Sequence, residues 1–308
     1  MSNSLAGSCA EPRANHALSD VLLIVLPGVI WGASFLFIMQ GLRAVGPHGV
    51  AFTRIATGFA VLVLFPASRR SVAREAWLRI AVLSAVWLAI PLTLFPFAEQ
   101  RVSSALAGML NGAMPLFAAG VAAIIARRVP SRGIAAGLAV GLLGVLLIAL
   151  PNVGAGKSST AGVVLVLVAI MFYGVAINIA RPLQMQYGAL PVLTRALGLA
   201  ALVTAPLGIP EVVAGTWSLV PLLSLLALGA LGTGAAYVLA AAGAGRLGAT
   251  RASASIFITA PVAMLLGAVF LHERVSPISI LGAAVCIGGA VMIKRAEERP
   301  ATAIPGRS

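Results

Sequence analysis

Ten apolar stretches of about 20 residues each occupy most of this 308-residue chain. Their approximate centres lie near residues 30, 57, 88, 115, 141, 171, 200, 230, 261 and 285. A helix of about 20 apolar residues crosses the hydrocarbon core of a bilayer, which is about 30 Å thick. Only 9% of the residues are charged, too few to cover a water-facing globule of this length. The sequence therefore predicts a protein that lies in a membrane.

The spans are predicted to be helices. Backbone groups in lipid must pair within the protein, which leaves α-helices or a closed β-barrel. Gly and Ala are frequent, and no ten-residue pattern of alternating polarity is present. We predict an all-α membrane protein with ten transmembrane helices.

The sequence contains an internal repeat. Residues 99–150 recur in weakened form at residues 244–295, with Pro115 aligned to Pro261 at an offset of 146. A one-residue slip then aligns Ser131 with Ser276, Gly137 with Gly282 and Gly144 with Gly289. Each copy ends a set of five spans, and an odd number of spans per half inverts the second half across the membrane. The prediction is a 5+5 inverted-topology repeat.

The repeat and the turn residues between spans divide the chain. We expect a cytoplasmic tail at 1–19, a first five-helix repeat at 20–150, a connecting loop at 151–160, a second five-helix repeat at 161–295 and a cytoplasmic tail at 296–308. No linker is long enough to join a separate soluble domain.

The formal net charge of +13 would suit binding to nucleic acid, but its distribution has another explanation. With both termini in the cytoplasm, sixteen of the 21 basic residues fall in cytoplasmic segments. The outer loops carry Arg43, Arg101, Lys157 and Arg274, and Arg54 lies within span 2. This excess of cytoplasmic Lys and Arg is the positive-inside pattern. We expect the bilayer, and no nucleic acid, as a partner.

The sequence lacks the residue patterns of catalytic sites, disulfide frameworks and metal sites. The histidines His16, His48 and His272 lie away from span centres, and no catalytic pair or nucleophile motif is present. Cys9 and Cys286 form no disulfide framework or metal-spaced cluster. We expect no enzyme activity, no metal and no cofactor. Inverted duplication is instead typical of carriers that open alternately to the two sides, with a non-transporting membrane scaffold as the remote alternative.

Three sets of residues resemble a known family. They are Ile30–Ile38 followed by Gly46-Pro47 and Arg54, the run Leu110–Phe117, and Leu271–Val275 before a Gly-spaced last span. In order and spacing, over residues 20–295, they resemble the EamA branch of the drug/metabolite transporter superfamily. The resemblance implies a central cavity and export or exchange of small metabolites, often amino acids. The family's usual Glu after the fourth span is Glu273 in the second half but Arg127 in the first.

Pro115 and Pro261 are predicted to bend the fourth span of each half. Proline removes a backbone N–H and distorts a helix, and bent helices tend to flank a site at the midplane. The alternative is that membrane helices are rich in proline in any case.

Three polar side chains within spans are candidates for the cavity. Arg54 costs about 2.5–3.5 kcal/mol in a membrane unless it is paired or hydrated, so it either meets a carboxylate or clamps helices together, and we favour the clamp. Asn111 and Asn178 are able to bond a solute or a neighbouring helix. Asn111, one turn before Pro115, is the better cavity candidate, and its repeat mate is Phe257.

Aromatic residues provide further candidates. Trp31, Phe35, Tyr173, Tyr237 and Phe257 are able to hold an apolar or cationic group, or simply to pack against neighbouring helices and lipid. Trp31 and Tyr173 are favoured because they are repeat mates beside a glycine. Met114 is a weaker candidate.

Proton coupling needs a titratable group in the pathway, and Glu99 at the outer end of span 3 is the nearest candidate. We give more weight to Glu99 as a solvated loop acid. A facilitator driven by the gradient of its own solute fits the charges at least as well.

The cargo is expected to be a neutral or zwitterionic solute such as an amino acid. Organic cations or drugs, and phosphorylated sugars, are the alternatives, but phosphate would need more cavity cations than Arg54. The Arg- and Ala-rich composition suggests a GC-rich bacterial genome and hence the inner membrane. We expect a monomer or a weak dimer.

Overall fold

The computed structural model describes residues 11–127, 129–152, 159–248 and 252–298. Cys9, Lys157 and residues 153–158 of the predicted connecting loop lie outside these ranges. Within them the chain is helical and has no strand. The ten spans, numbered in chain order, are Ser19–Gly41, Pro47–Val63, Arg74–Glu99, Ser104–Ala126, Arg132–Ala149, Thr160–Tyr187, Ala189–Val213, Leu219–Leu247, Ser255–Phe270 and Pro277–Ala296.

These spans confirm the predicted all-α fold with ten helical passes. Eight are long and apolar enough to cross a membrane, whereas spans 2 and 9 are shorter apolar helices. The helix of span 1 begins at Glu11, and the helix of span 10 continues to Glu298. Large apolar side chains such as Leu202, Val213 and Leu219 are exposed, as lipid-facing surface requires.

Three spans are interrupted within the described residues. Span 3 consists of a short 3₁₀ turn, Arg74–Ala76, then Trp77–Leu83, a π-helical segment, Ser84–Ala89, and Ile90–Glu99. Span 8 has the same plan, with Leu219–Ala227, a π-helical segment, Leu228–Ala235, and Ala236–Leu247. Span 4 is divided into Ser104–Asn111 and Met114–Ala126. The π-helical segments occupy matching places in the two halves, and such segments often mark functional sites.

The two prolines of the fourth spans have different local settings. Pro115 is in the first turn of Met114–Ala126, where its missing N–H has no intrahelical partner to lose. Pro261 lies inside the helix Ser255–Phe270.

The fifth spans of the two halves show the inversion directly. A Cβ atom added to Gly137 would lie 2.8 Å from the carbonyl oxygen of Gly289, and one added to Gly144 would lie 2.7 Å from that of Gly282. Residue numbers therefore rise in span 5 as they fall in span 10, so the two repeat mates run antiparallel. Their backbones approach this closely because both contact faces carry glycine.

The halves are interleaved rather than side by side. Span 1 packs against spans 8 and 9, span 6 packs against spans 3 and 4, and spans 2 and 7 pack against each other. In the first of these contacts, a Cβ added to Gly32 would lie 2.9 Å from the carbonyl oxygen of Thr259. At the matching place, a Cβ added to Gly174 would lie 3.0 Å from that of Phe117. The core of the protein therefore lies between the two repeats.

Candidate functional site

A cavity of about 220 Å³ lies between the two repeats. Spans 1, 2, 3 and 4 of the first half and spans 6, 8 and 9 of the second contribute its walls. The lining residues are Trp31, Ser34, Phe35, Ile38, Arg54, Trp87, Phe95, Asn111, Met114, Tyr173, Ile177, Tyr237, Ile256 and Thr259. The volume is below the range of about 300–1,000 Å³ usual for drug-sized ligands, so the cavity suits a small solute.

Seven of the nine residues predicted to face a cavity line this one. They are Trp31, Phe35, Arg54, Asn111, Met114, Tyr173 and Tyr237.

The other two predicted residues lie elsewhere. The Asn178 amide donates to the carbonyl oxygens of Gly174 at 2.8 Å and Ala118 at 3.1 Å, so it joins spans 6 and 4. Phe257 packs against the hydrophobic core.

Sequence reasoning missed half of the lining. Ser34 and Ile38 lie three and seven residues after Trp31, and Ile177 lies four after Tyr173, so helical periodicity would have found them. Trp87 lies in a π-helical segment, where that periodicity does not hold. The other residues that were missed are Phe95, Ile256 and Thr259.

Arg54 is the one charged side chain among the lining residues, and it is only 8% exposed. Its Nε donates to Thr233 Oγ1 at 2.9 Å. Within the described ranges, neither terminal nitrogen makes a hydrogen bond, and the single ion pair found joins Arg246 to Asp20. Burying the charge of a guanidinium without an acidic partner costs free energy. An anionic group of a bound solute would therefore be stabilised in this cavity.

The π-helical segment of span 8 positions two of the lining side chains. Thr233 in this segment supplies the hydroxyl that orients Arg54. Next to it, the carbonyl oxygen of Gly232 accepts a hydrogen bond from Trp31 Nε1 at 3.1 Å. One irregular segment thus aligns the cation and an aromatic wall of the same cavity.

Asn111 lines the cavity and carries an acceptor that lacks a partner within the described ranges. It is the last residue of Ser104–Asn111, directly before the interruption of span 4. Its Oδ1 is buried and has no hydrogen-bond partner among the residues that the structure describes. Such an atom costs about 1–3 kcal/mol, so a donor from a bound solute would recover free energy here.

Aromatic rings form two groups on the cavity wall. Tyr237 makes edge-to-face contacts with Trp31 and Trp87, with ring centroids 5.6 Å and 5.5 Å apart. Phe95 lies 5.6 Å from Phe35 and 5.8 Å from Tyr173. The rings hold one another in place, so they form a rigid apolar surface around Arg54 and Asn111.

Glu99 differs from the expectation of a solvated loop acid. Its side chain is only 2% exposed, because the end of span 3 is covered by the start of span 4 and the loop after span 9. Ser104 Oγ donates to Glu99 Oε2 at 3.4 Å. The expectation that Glu99 is solvated is therefore wrong.

The acid that resembles the family motif caps a helix. Glu273 accepts hydrogen bonds from the backbone N–H groups of Ser104 and Ala105, both at 2.8 Å. These are free N–H groups at the start of a helix, where a carboxylate is favourable. Arg127, aligned with Glu273 in the first half, is exposed and ends span 4 with a positive φ of 49°. Among the described residues, no group of three or more His, Cys, Asp or Glu side chains is placed to hold a metal.

Comparison with known proteins confirms the resemblance seen in the motifs. Residues 18–150 and 160–295 each match the EamA-like transporter family. The chain is 28% identical over 294 residues to a probable terminal-alkyne amino-acid exporter of Streptantibioticus cattleyicolor, covering 93% of this chain and 98% of that protein. It is 27% identical over 267 residues to the uncharacterized transporter YdfC of Bacillus subtilis, covering 84% and 86% of the two chains.

A solved structure shows the same fold. This crystal structure superposes on the chain with a TM-score of 0.61 at 19% identity, covering 93% of this chain and 99% of the other.

Proposed function

Because this chain belongs to the EamA-like transporter family, we propose that it exports or exchanges neutral or zwitterionic metabolites, with amino acids foremost. The solute would occupy the cavity between the repeats, and the two sides of the membrane would gain access to it in turn. We place the transporter in a bacterial inner membrane, with both termini in the cytoplasm.

The observation that carries this proposal is the buried guanidinium of Arg54 in the cavity, whose terminal nitrogens have no hydrogen-bond partner in the described parts of the chain. A carboxylate is the matching ligand, since it accepts two parallel hydrogen bonds from the terminal nitrogens of an arginine. Thr233 already orients the side chain through Nε. This bond joins span 2 to span 8, as the helix clamp favoured on sequence grounds requires, and the two terminal nitrogens are left for a solute.

The remaining cavity groups suit the rest of an amino acid. Asn111 Oδ1 would accept from the ammonium group, whose N–H donors match its missing partner. The rings of Trp31, Trp87 and Tyr237 would contact the side chain. The amino-acid exporter named above, similar over almost its whole length, also supports this class of solute.

The alternative cargoes match the cavity less well. An organic cation would meet the charge of Arg54, and drug-sized molecules exceed a volume of about 220 Å³. A phosphorylated sugar carries about two negative charges, whereas the lining offers one cation. A membrane scaffold without transport would bear the cost of burying the Arg54 charge with no solute to offset it.

Counterflow in proteoliposomes tests the proposal. Vesicles are loaded with an unlabelled neutral amino acid, an organic cation or a phosphorylated sugar, and entry of the labelled solute is followed. We expect saturable exchange of a neutral amino acid. Arg54→Gln should raise the half-saturation concentration at least about tenfold, because a hydrogen bond to a charged group contributes about 1.5–3 kcal/mol.

The matched control is Arg79→Gln, which removes an exposed arginine from span 3, away from the cavity. It should leave exchange unchanged. Exchange of a cation or a sugar phosphate alone would contradict the proposed solute class, and equal loss in both variants would contradict the role of Arg54.

A further inference from the structure

Two carboxyl groups meet at the start of span 4. Ser104 donates its backbone N–H to Glu273 Oε1 at 2.8 Å and its hydroxyl to Glu99 Oε2 at 3.4 Å. Glu273 has a donor for each oxygen, because Ala105 N–H serves Oε2. Glu99 Oε1 is buried and has no hydrogen-bond partner within the described parts of the chain. This oxygen is a place where a proton can be bound.

Glu99 lies between two cavities. One turn before it on the same helix, Phe95 lines the central cavity. Glu99 itself lines a second cavity of about 390 Å³, the outer vestibule, on the side predicted to face outward. Span 1 shows the same division, since Ile38 lines the central cavity and Met39 lines the vestibule. Glu99 therefore borders the vestibule and lies about one helical turn from the central cavity.

The charged surroundings of Glu99 are mixed. Within the protein, the negative charge of Glu273 and the positive charge of Arg54 act on it. The vestibule adds the exposed side chains of Arg43 and Arg101. Span 6 adds Tyr173, whose ring lies beside Phe95.

We propose that Glu99 is the proton-binding residue of this transporter and that its proton couples solute export to proton entry. The inference rests on the proposed export function. In the arrangement seen here, with Glu273 bonded to the start of span 4, Glu99 holds a proton, and this avoids repulsion between the two carboxylates. With the outer side open, Glu99 is ionised.

The physical link is the contact between Glu273 and the start of span 4. This contact ties the loop after span 9 to span 4 across the outer side, and opening that side requires its two hydrogen bonds to break. An ionised Glu99 places a second negative charge next to Glu273 and so destabilises the closed arrangement. Protonation removes the repulsion and allows closure.

The resulting cycle exchanges one proton for one solute. The solute leaves to the outside while Glu99 is ionised, and Glu99 then takes a proton from the vestibule. The outer side closes, and the proton leaves toward the cytoplasm through the central cavity as the next solute binds. Only the O–H bond of the Glu99 carboxyl group forms and breaks.

Comparing two transport assays on one preparation separates this proposal from the proposed function. Counterflow needs no net proton movement, whereas uphill movement of solute driven by a pH gradient does. In the wild type we expect both counterflow and gradient-driven transport. A pH-sensitive dye inside the vesicles reports the proton flux. Glu99→Gln should retain counterflow, at a reduced rate because the neutral side chain favours closure, but lose gradient-driven transport at least about tenfold. The matched control is Glu211→Gln, since Glu211 also accepts from a helix start, Gly49 N–H at 2.7 Å, and should keep the coupling.

Absence of proton movement in a wild type that is active in counterflow, or coupling retained by Glu99→Gln, would overturn the proposal. Failure of counterflow with every solute would instead overturn the proposed function.

A second measurement does not depend on the folding of the Gln variant or on the choice of solute. Ile38→Cys places a thiol in the central cavity, where an impermeant maleimide reaches it from outside only when the outer side opens. Labelling, normalised to that of the exposed position in Arg43→Cys, should accelerate as the external pH rises. A normalised rate that does not change with pH would overturn the proposal.

Discussion

At the scale of single residues, two asparagines with the same chemistry have opposite settings. Asn178 makes two hydrogen bonds to carbonyl oxygens, whereas Asn111 Oδ1 has no partner among the residues that the structure describes. Both are amides within apolar spans, so the sequence favoured Asn111 only by its place before Pro115. Hydrogen bonding is decided by neighbouring helices, and periodicity within one span does not show it.

This contrast predicts that Asn111→Leu and Asn178→Leu will separate stability from transport. Asn111→Leu should leave the thermal stability in detergent unchanged or raise it, because an unpaired buried acceptor is removed, while exchange of amine-bearing solutes falls. Asn178→Leu should destabilise by about 1–3 kcal/mol, because two carbonyls lose a donor. Thermal unfolding and counterflow measured on both variants check this. A loss of stability in Asn111→Leu equal to that in Asn178→Leu would contradict it.

At the scale of elements, an irregular helical segment positions the groups that orient two side chains of the cavity. The π-helical segment Leu228–Ala235 brings Thr233 to Arg54 and the carbonyl oxygen of Gly232 to Trp31. No residue in this Gly-rich stretch predicts a π turn, because the register of a helix depends on the packing around it. The close contact of spans 5 and 10 is different, since the glycines that allow it recur in the sequence repeat.

Two neighbouring glycines of span 10 test that contact. A Cβ added to Gly289 would lie 2.7 Å from the carbonyl oxygen of Gly137, whereas one added to Gly288 would have no atom within 4 Å. Gly289→Ala should therefore lower stability by about 1–3 kcal/mol through overpacking, and Gly288→Ala should leave it unchanged or slightly higher. Thermal unfolding in detergent provides the measurement. Equal midpoints for the two variants would exclude a tight interface between spans 5 and 10.

At the scale of the whole molecule, inversion and interleaving create the site. Because span 1 packs on spans 8 and 9 and span 6 on spans 3 and 4, residues far apart in sequence line one cavity. The repeat mates are not chemically equal. Glu273 caps span 4 on one side, and its aligned residue Arg127 carries the opposite charge. The residues at these two matching positions, one on each side of the membrane, therefore cannot make the same contact.

The orientation of the molecule is a testable prediction at this scale. In a Cys9→Ser background, with the buried Cys286 retained, single cysteines replace the exposed Arg43 and Arg79. The positive-inside pattern predicts that an impermeant maleimide labels Arg43→Cys in intact cells and Arg79→Cys only after permeabilisation. The reverse pattern would show the opposite topology.

The sequence by itself determined the solvent, the number and order of the spans, and the inverted duplication. These follow from apolar length and from a repeat with an odd number of spans, which are properties of the chain alone. The tertiary structure decided which polar groups are satisfied. Arg54 lines the cavity with two terminal nitrogens that make no hydrogen bond to the described residues, Asn178 joins two helices, and Glu99 is buried near Glu273. Those outcomes depend on contacts between helices from opposite halves of the chain, and no pattern within a single span carries them.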